Sequence, residues 1–266
     1  MPSPTRITFP PSGRPVGGLL NAARPIGGNW QRGVTFASAQ CIAPQNIGPC
    51  PEGMVTKDVS FLSDPVEFQP FQVFQAVQCS RLGGSSVVDF ADQSLDVTRE
   101  FGVAAELLTG AATGNPSLGD AAVLTAAADP VAALGCLEQY AWTALSGRTV
   151  FIHVTAQIAT ALLAAAAIWA PQDGRVWQTA ARNTVVISPG YDGREPGESA
   201  PTSGDPLFMY ATGEVYAEVG ERETLDSTDR TNNVETAIAE DTALVIFDPC
   251  FVAAIDTGLS ACGGLS

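Results

Sequence analysis

The chain has 266 residues, 45% of them hydrophobic, a formal net charge of −15 and a single histidine. That length and apolar content suffice for one large domain or two smaller ones with a real core. The acidity excludes phosphate-backbone binding by the bulk of the chain, and the best membrane candidate, the alanine-rich stretch 156–170, is too short to span a bilayer.

Residues 1–33 contain six prolines and six glycines, which resist both helix and ladder formation. They predict an extended arm without a core of its own, either disordered or ordered by a partner. The opening "MPSPTRITFPPSGRPVGG" lacks the apolar centre of a secretory signal, so assembly in a reducing cytoplasm is expected. Residues 1–51 carry Arg6, Arg14, Arg24 and Arg32 and no acidic group, whereas the rest of the chain carries nine basic and 28 acidic groups. A basic arm can lie across the acidic face of a neighbouring copy, although screening over roughly 8 Å makes this a matter of contact.

Next, "VTFASAQ" and "MVTKDVSFL" read as short strands about the turn-rich "CIAPQNIGPCPEG", together a long hairpin loop. The following "VEFQPFQVFQAV" is broken by Pro70, which implies an edge or a bulge. From Ser85 the period becomes helical through Val87, Ala91, Leu95, Thr98, Phe101, Ala105 and Leu108, with Ser85 or Ser86 as cap and Gly110 as terminator. Such a helix of about 24 residues is roughly 36 Å long.

"DPVAALGCLEQYAWTALSG" predicts a second helix, capped by Asp129, opened by Pro130 and closed by Gly147. "RTVFIHV" and "NTVVIS" are buried-type strands flanking an alanine-rich helix over 156–169. Residues 189–206 form a polar loop, "LFMYATGEVYAEV" returns as strand, and "GERETLDSTDRTNN" reads as a charged turn. It leads into "TNNVETAIAEDTALVIFDPCFVAAI", residues 231–255. The implied class is α+β.

Little in this chain is arranged for catalysis. His153 sits in the apolar frame "VFIHVTAQ" with no nucleophile motif, which favours a hydrogen-bonded core histidine. Neither a phosphate-binding loop nor a dinucleotide fingerprint occurs. Glu221, Glu223, Asp226 and Asp229, near Arg222 and Arg230, could supply an acid pair, but their turn composition favours a solvated loop. Cysteines 41, 50, 79, 136, 250 and 262 lack zinc-ligand spacing; Cys136 and Cys250 read as small apolar thiols, and Cys41 with Cys50 is the one pair worth testing for a bridge, free thiols being favoured. No catalytic, cofactor-binding or metal-binding residue is expected.

The order of these features resembles the major capsid proteins of tailed bacteriophages, whose fold is shared by encapsulin shells. "VVISPGYDG", "LFMYATGEVYAEVGE" and residues 231–255 are similar to the endings of capsid proteins from phages of actinobacteria; "FQPFQVFQAVQCSRLG" and "FGVAAELLTG" resemble the approach to and exit from their spine helix. The resemblance covers most of residues 34–256. It implies an N-terminal arm over 1–33, an extended hairpin loop and flanking strand over 34–78, a peripheral domain with the spine helix over 79–128, an axial domain over 129–215, and a return to the peripheral domain over 216–266.

It further implies a non-enzymatic subunit that self-assembles as hexamers and pentamers into an icosahedral head, enclosing double-stranded DNA without reading its sequence. Assembly in the host cytoplasm, a separate scaffold, a portal, decoration proteins and no membrane contact go with that reading. The interface residues expected are Arg6, Arg14, Arg24, Arg32, Lys57, Phe68, Phe71, Phe74, Asp226, Asp229, Arg230, Asn232 and Asn233. Phe68, Phe71 and Phe74 are included because a hairpin cannot bury them alone. Lys57 and Asn232 or Asn233 enter because certain relatives crosslink a loop lysine to a neighbour's asparagine. Residues 231–255 are expected to join elements, with an acidic patch on a turn and "ALVIF" stitching the final strand into a sheet. The alternatives are an encapsulin-like compartment, a small acidic hydrolase using the 221–229 carboxylates, or another virion component such as a tail or decoration protein.

Overall fold

A computed structural model describes residues 17–37, 65–80, 87–170 and 176–262. Arg6, Arg14, Lys57, Cys41, Cys50 and the cap candidates Ser85 and Ser86 lie outside these residues. Proline and glycine predict a coreless arm through residue 33, yet the structure folds 17–33 against its own body. One turn of helix, α1 (Leu19–Ala22), has Leu19 wholly buried. Its opening N–H groups, on Leu19 and Leu20, donate to the buried carboxylate of Glu100. Arg24 then bonds backbone to backbone with Val215 and Ala217, and Trp30 is buried against Phe68, Leu244 and Ile246. Two apolar anchors and a few backbone bonds suffice where no ladder can form.

β1 (Val34–Phe36) and β2 (Val66–Phe68) pair antiparallel. Pro70 interrupts as expected, and β3 (Phe71–Ser80) begins just beyond it. At the break the Asn115 side chain stands in for a strand, accepting from the Gln69 N–H and donating to its carbonyl, both at 2.8 Å. The long helix α2 (Val87–Thr109) matches its periodic pattern. Gly110 ends it at φ +61, where a Cβ would meet the Asn115 carbonyl at 2.5 Å; Gly102 lets β3 approach, since a Cβ there would lie 2.7 Å from Val73.

Beyond β4 (Ala122–Leu124), α3 (Pro130–Ala144) starts as its sequence dictates: the Asp129 carboxylate accepts from Val131 and Ala132 N–H, each at 2.9 Å. β5 (Phe151–Val154) follows. α4 (Ala156–Ala164) is shorter than alanine content suggests. Ala166 turns left-handed and the Ala167 N–H closes on the Leu162 carbonyl, so residues 168 and 169 leave as β6 (Ile168–Trp169), with Ile168 buried in the sheet core.

β7 (Trp177–Thr179), β8 (Thr184–Ile187), β9 (Pro206–Thr212), β10 (Val215–Asp229), β11 (Val234–Phe247) and β12 (Val252–Ser260) complete the chain. Two expectations change here. "LFMYATGEVYAEV" divides into β9 and β10, which belong to different sheets, and the predicted charged turn is mostly strand, with only 230–233 left to turn. Alternation accounts for the second: Arg222 and Thr224 bond to α2 while Glu223 and Leu225 are exposed.

A seven-stranded sheet runs β4-β12-β9-β5-β8-β7-β6 and a three-stranded sheet runs β10-β11-β3. α3 and α4 cover one face of the larger sheet through Leu137, Ile158, Ile152, Met209 and Ile255. Its other face, through Phe151, Phe208 and Tyr210, packs on the C-terminal half of α2, which also covers one face of the smaller sheet. Residues 231–255 link the two sheets, β11 at the centre of one and β12 inside the other, but the acidic patch expected on a turn lies within strand β11, where Glu240 and Asp241 pair with β10 and β3 and Asp241 is buried. "ALVIF" stitches β11 into the smaller sheet, and the final strand is β12.

Candidate assembly surfaces

The chemistry-bearing residues occupy structural positions. His153 is wholly buried on β5, with Nδ1 2.9 Å from the Tyr191 hydroxyl and Nε2 2.9 Å from the Thr212 hydroxyl. Burial pushes its pKa down to about 3, so it is neutral at physiological pH. Burial, reinforced by the charge of Glu100, pushes the Tyr191 hydroxyl up. Of the 221–229 cluster, Glu221, Glu223, Asp226 and Asp229 are exposed along β10, with no enclosing pocket to shift a carboxylate for acid–base work. Among the described residues no group of histidine, cysteine and carboxylate side chains could hold a metal ion. Cys136 is exposed on α3, against its reading as a small apolar residue, and Cys250, read as a free thiol, is disulfide-bonded in the turn before β12.

Arg222 is a residue the sequence misplaces. It reaches from β10 to the buried Asp241 on β11 (3.0 Å), to Asp96 on α2 (2.8 Å) and to the Asp92 carbonyl (3.1 Å). Arg99 of α2 meets the same Asp241 at 3.0 Å. Hydrogen bonding to Asp241, above all, raises the Arg222 pKa, with smaller support from Asp96 against the cost of burial. The signals in sequence are slight: period-two alternation around Arg222 and the i, i+4 pair Asp92 and Asp96.

The expected interface residues separate into covered and exposed groups. Phe68 is wholly buried by its own chain, edge-on to Phe247 with centroids 6.3 Å apart, and Phe71 is buried beneath α2. The expectation that both need neighbours to cover them is corrected, because Trp30 and α2 do so. Phe74 differs, at 61% exposed. Arg24 pairs within its chain with Glu214 at 2.9 Å, and Arg32 is exposed at the end of a short 3-10 turn. At the tip of the β10–β11 ribbon, Asp226, Arg230, Asn232 and Asn233 are exposed. Asp229 accepts from the Asn232 side chain at 2.7 Å and from the Thr231 and Asn232 N–H groups, which lowers its pKa.

Sequence reasoning misses other exposed apolar groups. Val97 and Phe101 share one face of α2, Val131 and Trp142 lie on α3, and Leu225, 61% exposed, lies on β10. Helical spacing flags Phe101 as core because the pattern contains it, but that side chain is more than half exposed.

No family profile and no curated protein matches the sequence. Solved structures do match, along nearly the whole of both chains. The capsid of a native GTA particle aligns with a TM-score of 0.61 and 12% identity, covering 97% of this chain and 96% of that one. The holo-SrpI encapsulin complex from Synechococcus elongatus PCC 7942 aligns at 0.58 and 11%, covering 99% and 95%. A structure of Gordonia phage Cozz aligns at 0.57 and 10%, covering 95% and 90%. At such identities the likeness establishes the α+β fold, and it is the fold of a capsid subunit and of an encapsulin subunit.

Proposed function

We propose that the chain is the major capsid protein of a tailed bacteriophage, a structural subunit that self-assembles into an icosahedral head around double-stranded DNA. The observation that carries this reading is the end-to-end correspondence with the subunit of a GTA capsid, 97% of one chain against 96% of the other. Exposed apolar groups on α2, α3 and the smaller sheet support it, since a subunit ringed by copies of itself presents such surface on several sides. An obligate interface buries about 2,000–5,000 Å², and at about 25 cal/mol per Å² of apolar area the gross driving force exceeds mild charge repulsion.

In this reading α2 and the three-stranded sheet form the peripheral part, and the seven-stranded sheet with α3 and α4 forms the axial part of hexamers and pentamers. Scaffold, portal and decoration proteins are separate partners, and the subunit performs no catalysis. The acidic body repels the DNA it encloses, which allows packaging without adhesion. Assembly takes place in the host cytoplasm and the product is the virion head. Electron microscopy of the expressed protein tests this: closed shells are expected, and a stable compact monomer at micromolar concentration refutes it. The encapsulin match, which covers 99% of this chain, favours a second reading as a protein-cargo compartment. Contents decide between them, DNA for the first and an enzyme for the second.

A further inference from the structure

Beside the end of β12 lies an open groove of about 600 Å³, bounded by the start of α4, the end of β8 and the loop over 189–206. Its apolar lining comes from Leu207, which is buried, from half-buried Ile187 and Pro201, and from exposed Pro189 and Ala200. Each polar side chain of the lining, the Cys262 thiol aside, is already engaged within the chain. Thr155 accepts from the Ile158 N–H at 3.2 Å, Gln157 donates to the Ser260 carbonyl at 2.8 Å and Ser188 donates to Glu100 at 3.1 Å. Tyr191 pairs with His153 at 2.9 Å, and Asp192 accepts from Arg194 at 3.0 Å. A polar or charged occupant would lose its water there without gaining a partner, whereas an apolar one loses nothing. The groove therefore selects a small apolar group.

The chain itself leads such a group to the groove. Beyond β12 the Ala261 N–H donates to the Asp205 carbonyl at 2.8 Å and the Gly204 N–H to the Ala261 carbonyl at 3.1 Å, so the backbone is held until Cys262, which lines the groove. Next come Gly263, Gly264, Leu265 and Ser266, none of them charged. We infer that Leu265 turns back into the groove of its own chain, so that residues 263–266 act as a latch fastening the end of β12 to α4 and to the loop over 189–206. Two successive glycines accept either sign of φ and permit the reversal. Reach confines the leucine: three residues beyond Cys262 extend at most about 10 Å, so it stays within the groove's neighbourhood. So short a tether also holds Leu265 at an effective concentration of order millimolar, which favours it over the same segment of another copy. The latch belongs to the single subunit and does not depend on the shell reading.

Replacing Ala200 by the photo-crosslinker benzoylphenylalanine in the full chain tests the inference. Illumination should link residue 200 to residues 263–266, and in a mixture of isotopically light and heavy chains each linked peptide pair should carry a single label. Leu265→Asp should lower the yield about tenfold, while Leu265→Met should retain it. Linkage to a different segment, pairs of mixed label or a yield indifferent to Leu265→Asp overturns the inference. A second measurement needs no crosslinker and so holds if that variant folds poorly. Deleting residues 263–266 should speed hydrogen exchange at the Ala261 amide about fivefold or more and leave the β5 amides unchanged. Unaltered exchange at Ala261 overturns the latch equally.

Discussion

Asp241 is 1% exposed and accepts from two guanidinium groups, Arg99 on α2 and Arg222 on β10, so one carboxylate ties three elements together. Asp241→Ala leaves both cations facing a buried void and should cost about 3–5 kcal/mol. Urea unfolding of the dissociated subunit measures it; a loss below about 1 kcal/mol would show the network to be ornamental. His153 is the second residue with a clear consequence. Its folded pKa, about 3, lies below the ordinary histidine value of 6.5, so between those values the unfolded chain takes up a proton that the fold refuses. The stability it contributes is complete above pH 6.5 and is lost as pH falls toward 3. Asp229 and Asp205, whose hydrogen bonds lower their pKa values, add losses in the same direction but only as pH falls below 3.8. His153→Asn should therefore flatten the decline in unfolding temperature between pH 7 and pH 4.5, and calorimetry at the two values reads the difference.

At the level of elements, the attachment of the loop base depends on Asn115, whose amide pairs with both backbone groups of Gln69 beside Pro70. Asn115→Ala removes both bonds and should speed hydrogen exchange at the Gln69 amide by about tenfold or more, leaving α3 amides unchanged. Equal acceleration in α3 would mean that the whole fold had weakened instead. The start of α3 is a separate, smaller case: Asp129→Ala forfeits two N–H acceptors and should cost about 1 kcal/mol. α2 owes its place to both faces. Ala91, Leu95 and Val103 are buried, while Val97 and Phe101 are exposed on the opposite side.

For the whole molecule, those outward groups separate folding from assembly. Val97→Ser and Phe101→Ser should each change subunit stability by no more than about 0.5 kcal/mol, since neither side chain fills the core. Shell yield, read by sedimentation, should nevertheless fall; unchanged yield would remove this face of α2 from the proposed contacts.

Local pattern was enough for the elements whose physics is local. The long helix α2, the Asp129-capped helix, the Pro70 break and the core histidine are all legible because periodicity, capping and apolar framing act within a few residues. Exposure is legible only in part: Phe74, expected to lack cover from its own chain, is exposed, Leu225 is exposed without any signal in the sequence, and Phe68 and Phe71 are covered by their own chain. Residues 17–33 illustrate why. Their composition correctly denies them a ladder, but only the meeting of Leu19 with Glu100, 81 residues away, and of Trp30 with Leu244 decides that they fold. Likewise Arg222 looks solvated until β10, β11 and α2 converge on Asp241. Sequence by itself determined which stretches become helix or strand, and the charge contrast between the first residues and the rest; tertiary structure alone decided which sheet each strand joins and which aromatics are covered, because each of those depends on contacts between residues far apart along the chain.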